Sequence, residues 1–183
     1  MAVTTIEPTF GGVLGRQTLY IPAAAMTSAA TNGAEAGTVE EGTNDINYAT
    51  LDFDASTDEY AEFNVAFPKG YDLTAVRYRV FWRSTAADTD GVSWGLRALS
   101  RADNETIDAA WGTGVVIDDA NQSSAGELLV SAESTDVTTS AADDDLVFFR
   151  LYRDVSDSND TATEDAQLIG IQLFYDIDAG TDD

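Results

Sequence analysis

The feature that most constrains the fold is an alternation of apolar and polar residues with a period of two. Residues 51–67 contain two such runs on either side of the polar segment 55–58. The apolar positions of the two runs are Leu51, Phe53, Ala61, Phe63, Val65 and Phe67. Side chains of a strand point to opposite faces in turn, so each run predicts a strand with one buried and one wet face. The short polar segment predicts that the two strands pair as an antiparallel hairpin.

The same alternation recurs toward the C-terminus. Further strands are predicted at residues 18–21, 75–83, 92–99, 115–118, 127–132, 146–153 and 167–177. Asp88 to Gly91 has strong turn chemistry, which predicts a second hairpin from 75–83 and 92–99 with Trp82 and Trp94 in the core. Short strands with long connections and hardly any helix predict an all-β fold, an antiparallel two-sheet jelly-roll-like sandwich.

The chain length of 183 residues fits one domain. Residues 1–17 are predicted to form an extended N-terminal arm, because Pro8 and several glycines interrupt their apolar residues. Residues 18–178 form the predicted β-domain, and residues 179–183 an acidic tail. The N-terminus has neither a basic nor an apolar segment of the kind that export requires, and no apolar run approaches the roughly 20 residues of a membrane helix, so neither is expected.

Cysteine and histidine are both absent. Their absence excludes disulfides, thiolate metal sites, cysteine nucleophiles and a Ser-His-Asp triad. Carboxylate pairs are numerous among 33 acidic residues, but none stands in an apolar setting that would raise its pKa for glycoside hydrolysis. The acidic runs 88–90, 143–145 and 154–160 have oxygen ligands for calcium, although solvated turns are the favoured interpretation. We therefore expect no enzyme, no catalytic residue, no metal site and no cofactor.

The charge of the chain restricts its partners. The 33 acidic and 9 basic residues give a formal net charge of -24, which repels nucleic acid and anionic membranes. Neither is expected as a partner. The acidity has two interpretations, a solvated surface kept soluble by self-repulsion or an adaptation to salty water, where the repulsion is screened.

Five arginines occupy the polar positions of the second predicted hairpin. They are Arg77, Arg79, Arg83, Arg97 and Arg101. Alternation predicts that they form one basic stripe on the outer face of the hairpin. Either they pair with the protein's own carboxylates, or they form a subunit contact with the acidic face of a neighbouring copy.

Trp111 stands apart from the predicted strands, between Ala110 and Gly112. One interpretation is an exposed platform for a sugar ring, and the other is packing over the edge of the sandwich. The second is favoured, because large aromatic side chains are more often buried than not.

Five segments of the predicted β-domain are similar in sequence to segments of a known protein family. The segments 53–63, 81–82, 92–95, 152–157 and 165–170 occur in the order seen in a family of small virion proteins from tailed bacteriophages, which the chain resembles over about residues 50–177. The resemblance implies a jelly-roll module on the outside of the particle, either a capsid decoration (cement) protein or a part of a head or tail fibre.

Our hypothesis from the sequence is a capsid decoration protein that binds the outer shell and stabilises the junctions between capsomers. Its expected partners are the major capsid protein and further copies of itself in a homotrimer, and its expected location is the outer capsid surface of the virion, after assembly in the host cytoplasm. The alternative is a head-fibre or tail-fibre module that binds a host surface glycan.

The arm is the predicted anchor to the capsid. Its anchoring residues are predicted to be Ile6, Phe10, Val13, Leu14 and Arg16. The spacing of the apolar residues fits no strand or helix face, which favours docking on a partner. The alternative is that the arm folds back over its own sandwich.

Overall fold

The chain folds as two antiparallel β-sheets that pack face to face. The computed structural model describes residues 15–180. Its strands are β1 (Gly15–Pro22), β2 (Thr27–Ser28), β3 (Glu35–Glu41), β4 (Ile46–Phe53), β5 (Glu59–Ala66), β6 (Tyr71–Arg83), β7 (Gly91–Arg101), β8 (Val115–Ala120), β9 (Leu129–Val130), β10 (Val137–Thr138), β11 (Leu146–Arg153) and β12 (Ala166–Ile177). A 3-10 turn at Ala23–Ala25 follows β1. The predicted all-β, jelly-roll-like sandwich is thus confirmed.

Sheet A is built around β12. One side of β12 pairs with β6, and the other pairs with β1 and, at its start, with β4. Strand β3 extends the sheet beyond β4, and the short strands β9 and β10 pair with β6. Sheet B has the order β2-β5-β11-β7-β8. Within residues 15–180, no helix has the length and apolar composition needed to cross a membrane.

The core lies between the two sheets and is rich in aromatic side chains. Trp82 of sheet A and Trp94 of sheet B are 1% and 0% exposed, which confirms both as core residues. Their ring centroids lie 6.1 Å apart in an edge-to-face arrangement, and Phe53 packs against Trp94 at 5.2 Å. Rings of this size provide much of the buried apolar area that stabilises a sandwich.

Both predicted hairpins are wrong. Strand β4 lies in sheet A and β5 in sheet B, so the segment 54–58 crosses from one sheet to the other. Strands β6 and β7 are separated in the same way, by the segment 84–90. The predicted buried and exposed faces are correct in all four strands. The alternation does not predict the sheet, because a strand of either sheet buries its apolar face against the same core.

A buried arginine joins the two sheets. Arg153 continues the core-facing positions of β11 and is 0% exposed. Its guanidinium donates to both carboxylate oxygens of Asp160, from Nε at 2.9 Å and from Nη2 at 2.8 Å. It also donates to the carbonyl oxygens of Phe53 in β4, Ala162 and Glu164. The acidic segment 154–165 is therefore held by this side chain.

The sheet includes part of the predicted arm. Strand β1 begins at Gly15 and pairs with β12, so residues 15–17 belong to sheet A. Arg16 stacks 4.1 Å from the Phe174 ring centroid and its Nη2 lies 2.6 Å from Glu133 Oε1. The other predicted anchors, Ile6, Phe10, Val13 and Leu14, lie outside the described residues, as do residues 181–183 of the predicted tail.

Candidate functional site

The outer face of sheet B carries a cluster of aromatic and charged side chains. We call it the sheet B face and define it by Tyr60 and Glu62 of β5, Arg97 of β7, Trp111 of the segment 102–114, and Arg150 and Tyr152 of β11. The five strand residues alternate with buried ones such as Ala61 and Leu151, which places them on the solvent side. All six side chains are half-buried.

Strand register brings the cluster together. Tyr152 lies directly opposite Tyr60 on one neighbouring strand and Gly95 on the other. Two residues along, Arg150 lies opposite Glu62 and Arg97. Because neighbouring strands are about 4.8 Å apart, these two rows form a continuous surface across three strands.

Glycines let the Tyr152 ring lie on the sheet. A Cβ atom at Gly95 would overlap the ring, and one at Gly114 would overlap its hydroxyl. The ring therefore lies over the β7 backbone, 6.1 Å from the Tyr60 ring centroid. Burial raises the pKa of the Tyr152 hydroxyl, which accordingly stays protonated and able to donate a hydrogen bond at neutral pH.

Two guanidinium groups stack on these rings. The Arg150 Cζ lies 4.6 Å from the Trp111 ring centroid and 5.2 Å from that of Tyr60, and its Nε donates to Glu62 Oε1 at 2.7 Å. The Arg97 Cζ lies 5.4 Å from the Tyr60 centroid and 5.2 Å from the Tyr152 centroid. Stacking on aromatic faces holds both guanidinium groups in place.

The sheet B face is bounded on two sides. On the β5 side, residues 27–32 form a wall next to a cavity of about 600 Å³ that Tyr60, Glu62 and Arg150 also line. Backbone hydrogen bonds hold the wall against β5, from Ala29 N to Tyr60 O at 3.1 Å and from Tyr60 N to Asn32 O at 2.8 Å. On the other side, Gly112 N donates to Ala98 O at 2.9 Å and so positions Trp111. The result is an open groove.

A second cleft, of about 810 Å³, lies at one end of the sandwich near β7 and β10. Two of its polar groups are paired within the protein, since Arg101 Nη1 lies 3.1 Å from Glu105 Oε2 and Ser100 Oγ donates to Asp145 Oδ2 at 2.8 Å. None of its described lining residues is aromatic. It is therefore a weaker candidate than the sheet B face.

The single basic stripe predicted from the sequence is wrong. Because β6 and β7 lie in different sheets, Arg77, Arg79 and Arg83 are on sheet A, whereas Arg97 and Arg101 are on sheet B. Three of these arginines pair with carboxylates of the protein itself. Their closest contacts are Arg77 Nε–Asp136 Oδ1 at 2.6 Å, Arg83 Nη1–Glu41 Oε1 at 2.8 Å and Arg101 Nη1–Glu105 Oε2 at 3.1 Å. A subunit contact through any of the five stays a prediction.

Trp111 is the one predicted ligand-contacting residue that the structure places in the groove. Sequence reasoning did not single out its neighbours Tyr60, Glu62, Arg150 and Tyr152. The sequence feature that points to such residues is an aromatic side chain at a solvent-facing position of a predicted strand. Tyr60, which precedes buried Ala61, is an example. An aromatic side chain placed on the solvent face of a strand is a candidate for recognition.

The carboxylates elsewhere in residues 15–180 show no arrangement suited to a metal ion. Among residues 15–180, no group of three or more acidic side chains is placed to hold a metal ion. Burial raises the pKa of Glu59 and of Asp165, and the charge of Asp54 raises both further. Glu59 Oε2 accepts a hydrogen bond from Asp54 N at 2.8 Å, at the crossing between the sheets.

Comparisons with known proteins show similarity at the level of structure. Neither a protein-family model nor a curated protein matches the sequence. The structure is similar to the CBM22-1–GH10 modules of xylanase Xyn10B from Clostridium thermocellum, solved with xylohexaose, with a TM-score of 0.49 and 17% identity. The match covers 91% of this chain and 28% of the xylanase chain.

Two smaller proteins are similar over most of their length. The CBM22-2 xylan-binding domain of Paenibacillus barcinonensis Xyn10C has a TM-score of 0.48 and 13% identity, with 83% of this chain and 92% of that chain covered. A family 35 carbohydrate-binding module from Clostridium thermocellum has a TM-score of 0.45 and 11% identity, with 86% and 97% covered. Similarity this distant is no evidence for a ligand, which has to be inferred from the sheet B face itself.

Proposed function

We propose that this protein is a non-catalytic carbohydrate-binding protein and that its ligand lies along the sheet B face. The observation that carries the proposal is the Tyr152 ring, which lies over Gly95 beside Tyr60, with Trp111 next to Arg150 on the same face. The C–H faces of a sugar pack on flat aromatic rings, while its hydroxyls need polar partners. Glu62, Arg150 and the Tyr152 hydroxyl provide such partners within the same two rows.

The shape of the groove favours an oligosaccharide over a single sugar. The cluster extends across β5, β11 and β7, at about 4.8 Å per strand, and the Trp111 ring lies against Arg150 of β11. Residues 27–32 bound the groove on the β5 side, and the groove is open to solvent. An open groove of this kind accepts internal segments of a polymer, whereas an enclosed pocket accepts only an end.

The charges on the sheet B face favour binding without cleavage. Glycoside hydrolases place two carboxyl groups on either side of the scissile bond. Among the six side chains that define the face, Glu62 is the one carboxylate, and its charge is neutralised by Arg150. The absence of histidine from the chain removes the usual alternative acid-base group.

The resemblance to bacteriophage virion proteins suggests the setting of this activity, a head-fibre or tail-fibre module that binds a host surface glycan. The capsid decoration role, the major capsid protein as a partner, the homotrimer and the location on the outer capsid surface stay predictions. A quantitative gel of purified virions separates the two roles, because a decoration protein is present in many copies and a fibre module in few.

Polysaccharide binding is best tested by affinity electrophoresis and a glycan array with the wild type, Tyr152→Ala and Tyr20→Ala. Tyr20 is a matched control, because it is a 47% exposed tyrosine on sheet A that also packs against an aromatic ring. Tyr152→Ala is expected to weaken binding roughly tenfold or more. Tyr20→Ala is expected to bind as the wild type does. Failure of the wild type to bind any glycan, or equal losses in both variants, would refute the proposal.

A further inference from the structure

Arg97 differs from most arginines of this chain in having no carboxylate partner among the described residues. Six of the eight arginines lie within 4.0 Å of a carboxylate, namely Arg16, Arg77, Arg83, Arg101, Arg150 and Arg153. Within the described part of the chain, Arg97 and Arg79 have no such partner. With 33 acidic residues available, an arginine without a counterion on an otherwise well-paired surface needs an explanation.

The environment of Arg97 points to a missing acceptor. Its guanidinium lies between the Tyr60 and Tyr152 rings, which fix the direction of its N–H groups. Its Nε is buried without an acceptor, as are those of Arg79, Arg83 and Arg101, so this atom does not distinguish Arg97. The two Nη groups of Arg97 are not among the buried atoms, and they donate to no described residue. A ligand oxygen in the groove can therefore reach these donors.

We infer that the glycan bound by the sheet B face carries a carboxylate, as in a uronic acid residue, and that Arg97 binds this group. The inference rests on the proposed function. Arginine donates two parallel hydrogen bonds to the two oxygens of a carboxylate, which matches the ligand charge to the unpaired cation. The neighbouring Arg150 is less suited, because Glu62 already occupies its Nε and Nη2.

The net charge of -24 does not exclude an acidic ligand. Repulsion from the rest of the surface acts over a Debye length, about 8 Å at physiological ionic strength and about 3 Å at 1 M salt. The Arg97 contact acts at hydrogen-bond distance and is partly shielded from solvent by two rings. In salt, the local attraction therefore outlasts the long-range repulsion.

The test measures binding of the full chain to polygalacturonate, alginate and hyaluronan, each beside its carboxyl-reduced, neutral form, at one fixed ionic strength. Dextran sulfate reports on negative charge without a carboxylate. The variants are Arg97→Gln, Arg97→Lys and Arg79→Gln, with thermal melts to check folding. Arg79 is the matched control, because it also has no described carboxylate partner but stacks on Phe174 of sheet A.

We expect at least one acidic polymer to bind more tightly than its reduced form. Arg97→Gln is expected to weaken that binding by roughly tenfold to a hundredfold, a larger factor than its effect on binding of the reduced form, with Arg97→Lys intermediate and Arg79→Gln unchanged. Equal binding of acidic and reduced polymers would overturn the inference and leave the proposed function standing. Binding of dextran sulfate as tight as that of the acidic polymer would likewise overturn the inference and leave the proposed function standing. The same holds if Arg79→Gln loses as much affinity as Arg97→Gln. Binding of no glycan at all would overturn both.

Discussion

The buried ion pair between Arg153 and Asp160 gives the sharpest test of how this sandwich is held together. The substitution Asp160→Asn keeps the size of the side chain and removes its charge. Arg153, which is 0% exposed, would then remain charged among the carbonyls of Phe53, Ala162 and Glu164 without a counterion. The amide would also present an N–H₂ group toward one of the two Arg153 donors.

The expected loss is large for a single substitution. Breaking a buried pair from one side costs about 3–5 kcal/mol in the free energy of unfolding, because the remaining charge stays buried and uncompensated. Asp160 Oδ2 additionally accepts a hydrogen bond from Ser93 N at 3.1 Å, which links the segment 154–165 to β7. For a chain of this length, each kcal/mol lowers the melting temperature by about 2–4 °C.

Urea unfolding measures this loss, with Asp136→Asn as the matched control. Asp136 also pairs with an arginine, Arg77, at 2.6 Å, but the two side chains are 61% and 44% exposed. Exposed ion pairs contribute little to the free energy of unfolding, so Asp136→Asn is expected to unfold at the same urea concentration as the wild type. Equal m-values would show that both variants unfold from comparable states. If Asp160→Asn were no less stable than Asp136→Asn, the buried pair would not stabilise the fold as argued.

Three further predictions concern the groove, pH and salt. Gly95→Ala is expected to displace the Tyr152 ring and weaken glycan binding, and unchanged affinity in affinity electrophoresis would contradict the role of the ring. Burial raises the pKa of Glu59 above its ordinary value of 4.5. As the pH falls, the folded state therefore binds a proton at Glu59 before the unfolded state does, and the free energy of unfolding increases over that range. Glu59→Gln should therefore melt higher than wild type at neutral pH and lose this advantage in acid, and a lower melting temperature at neutral pH would contradict this. The melting temperature should rise with sodium chloride, because salt screens a net charge of -24, and a steady fall would show that ion pairs outweigh the repulsion.

The sequence by itself determined which residues form strands and which of their faces are buried. Alternation placed the strands that became β5, β6, β7, β11 and β12 close to their observed bounds. It also placed Trp82 and Trp94 in the core. These features are local, because the direction of a side chain depends only on its position along its own strand.

Only the tertiary structure decided which strands are neighbours. A short connection such as 54–58 joins two strands of one sheet or crosses between two sheets, and the alternating pattern on either side is the same in both cases. Both hairpins and the single arginine stripe failed for this reason. Arg153 shows the complementary case, since it shares the alternation of buried Val147 and Leu151, but its partner Asp160 becomes evident only from the fold of the segment 154–165.

The sheet B face also depends on which strands are neighbours in the sheet. Each of Tyr60, Arg97 and Tyr152 is placed on the solvent side by its own sequence pattern. Their contact requires β5, β11 and β7 to be adjacent in this order and in this register, although they are separated along the chain by many residues. Gly95 matters only because Tyr152 is opposite it. A site built from three strands therefore follows from long-range pairing, which a local pattern of period two does not encode.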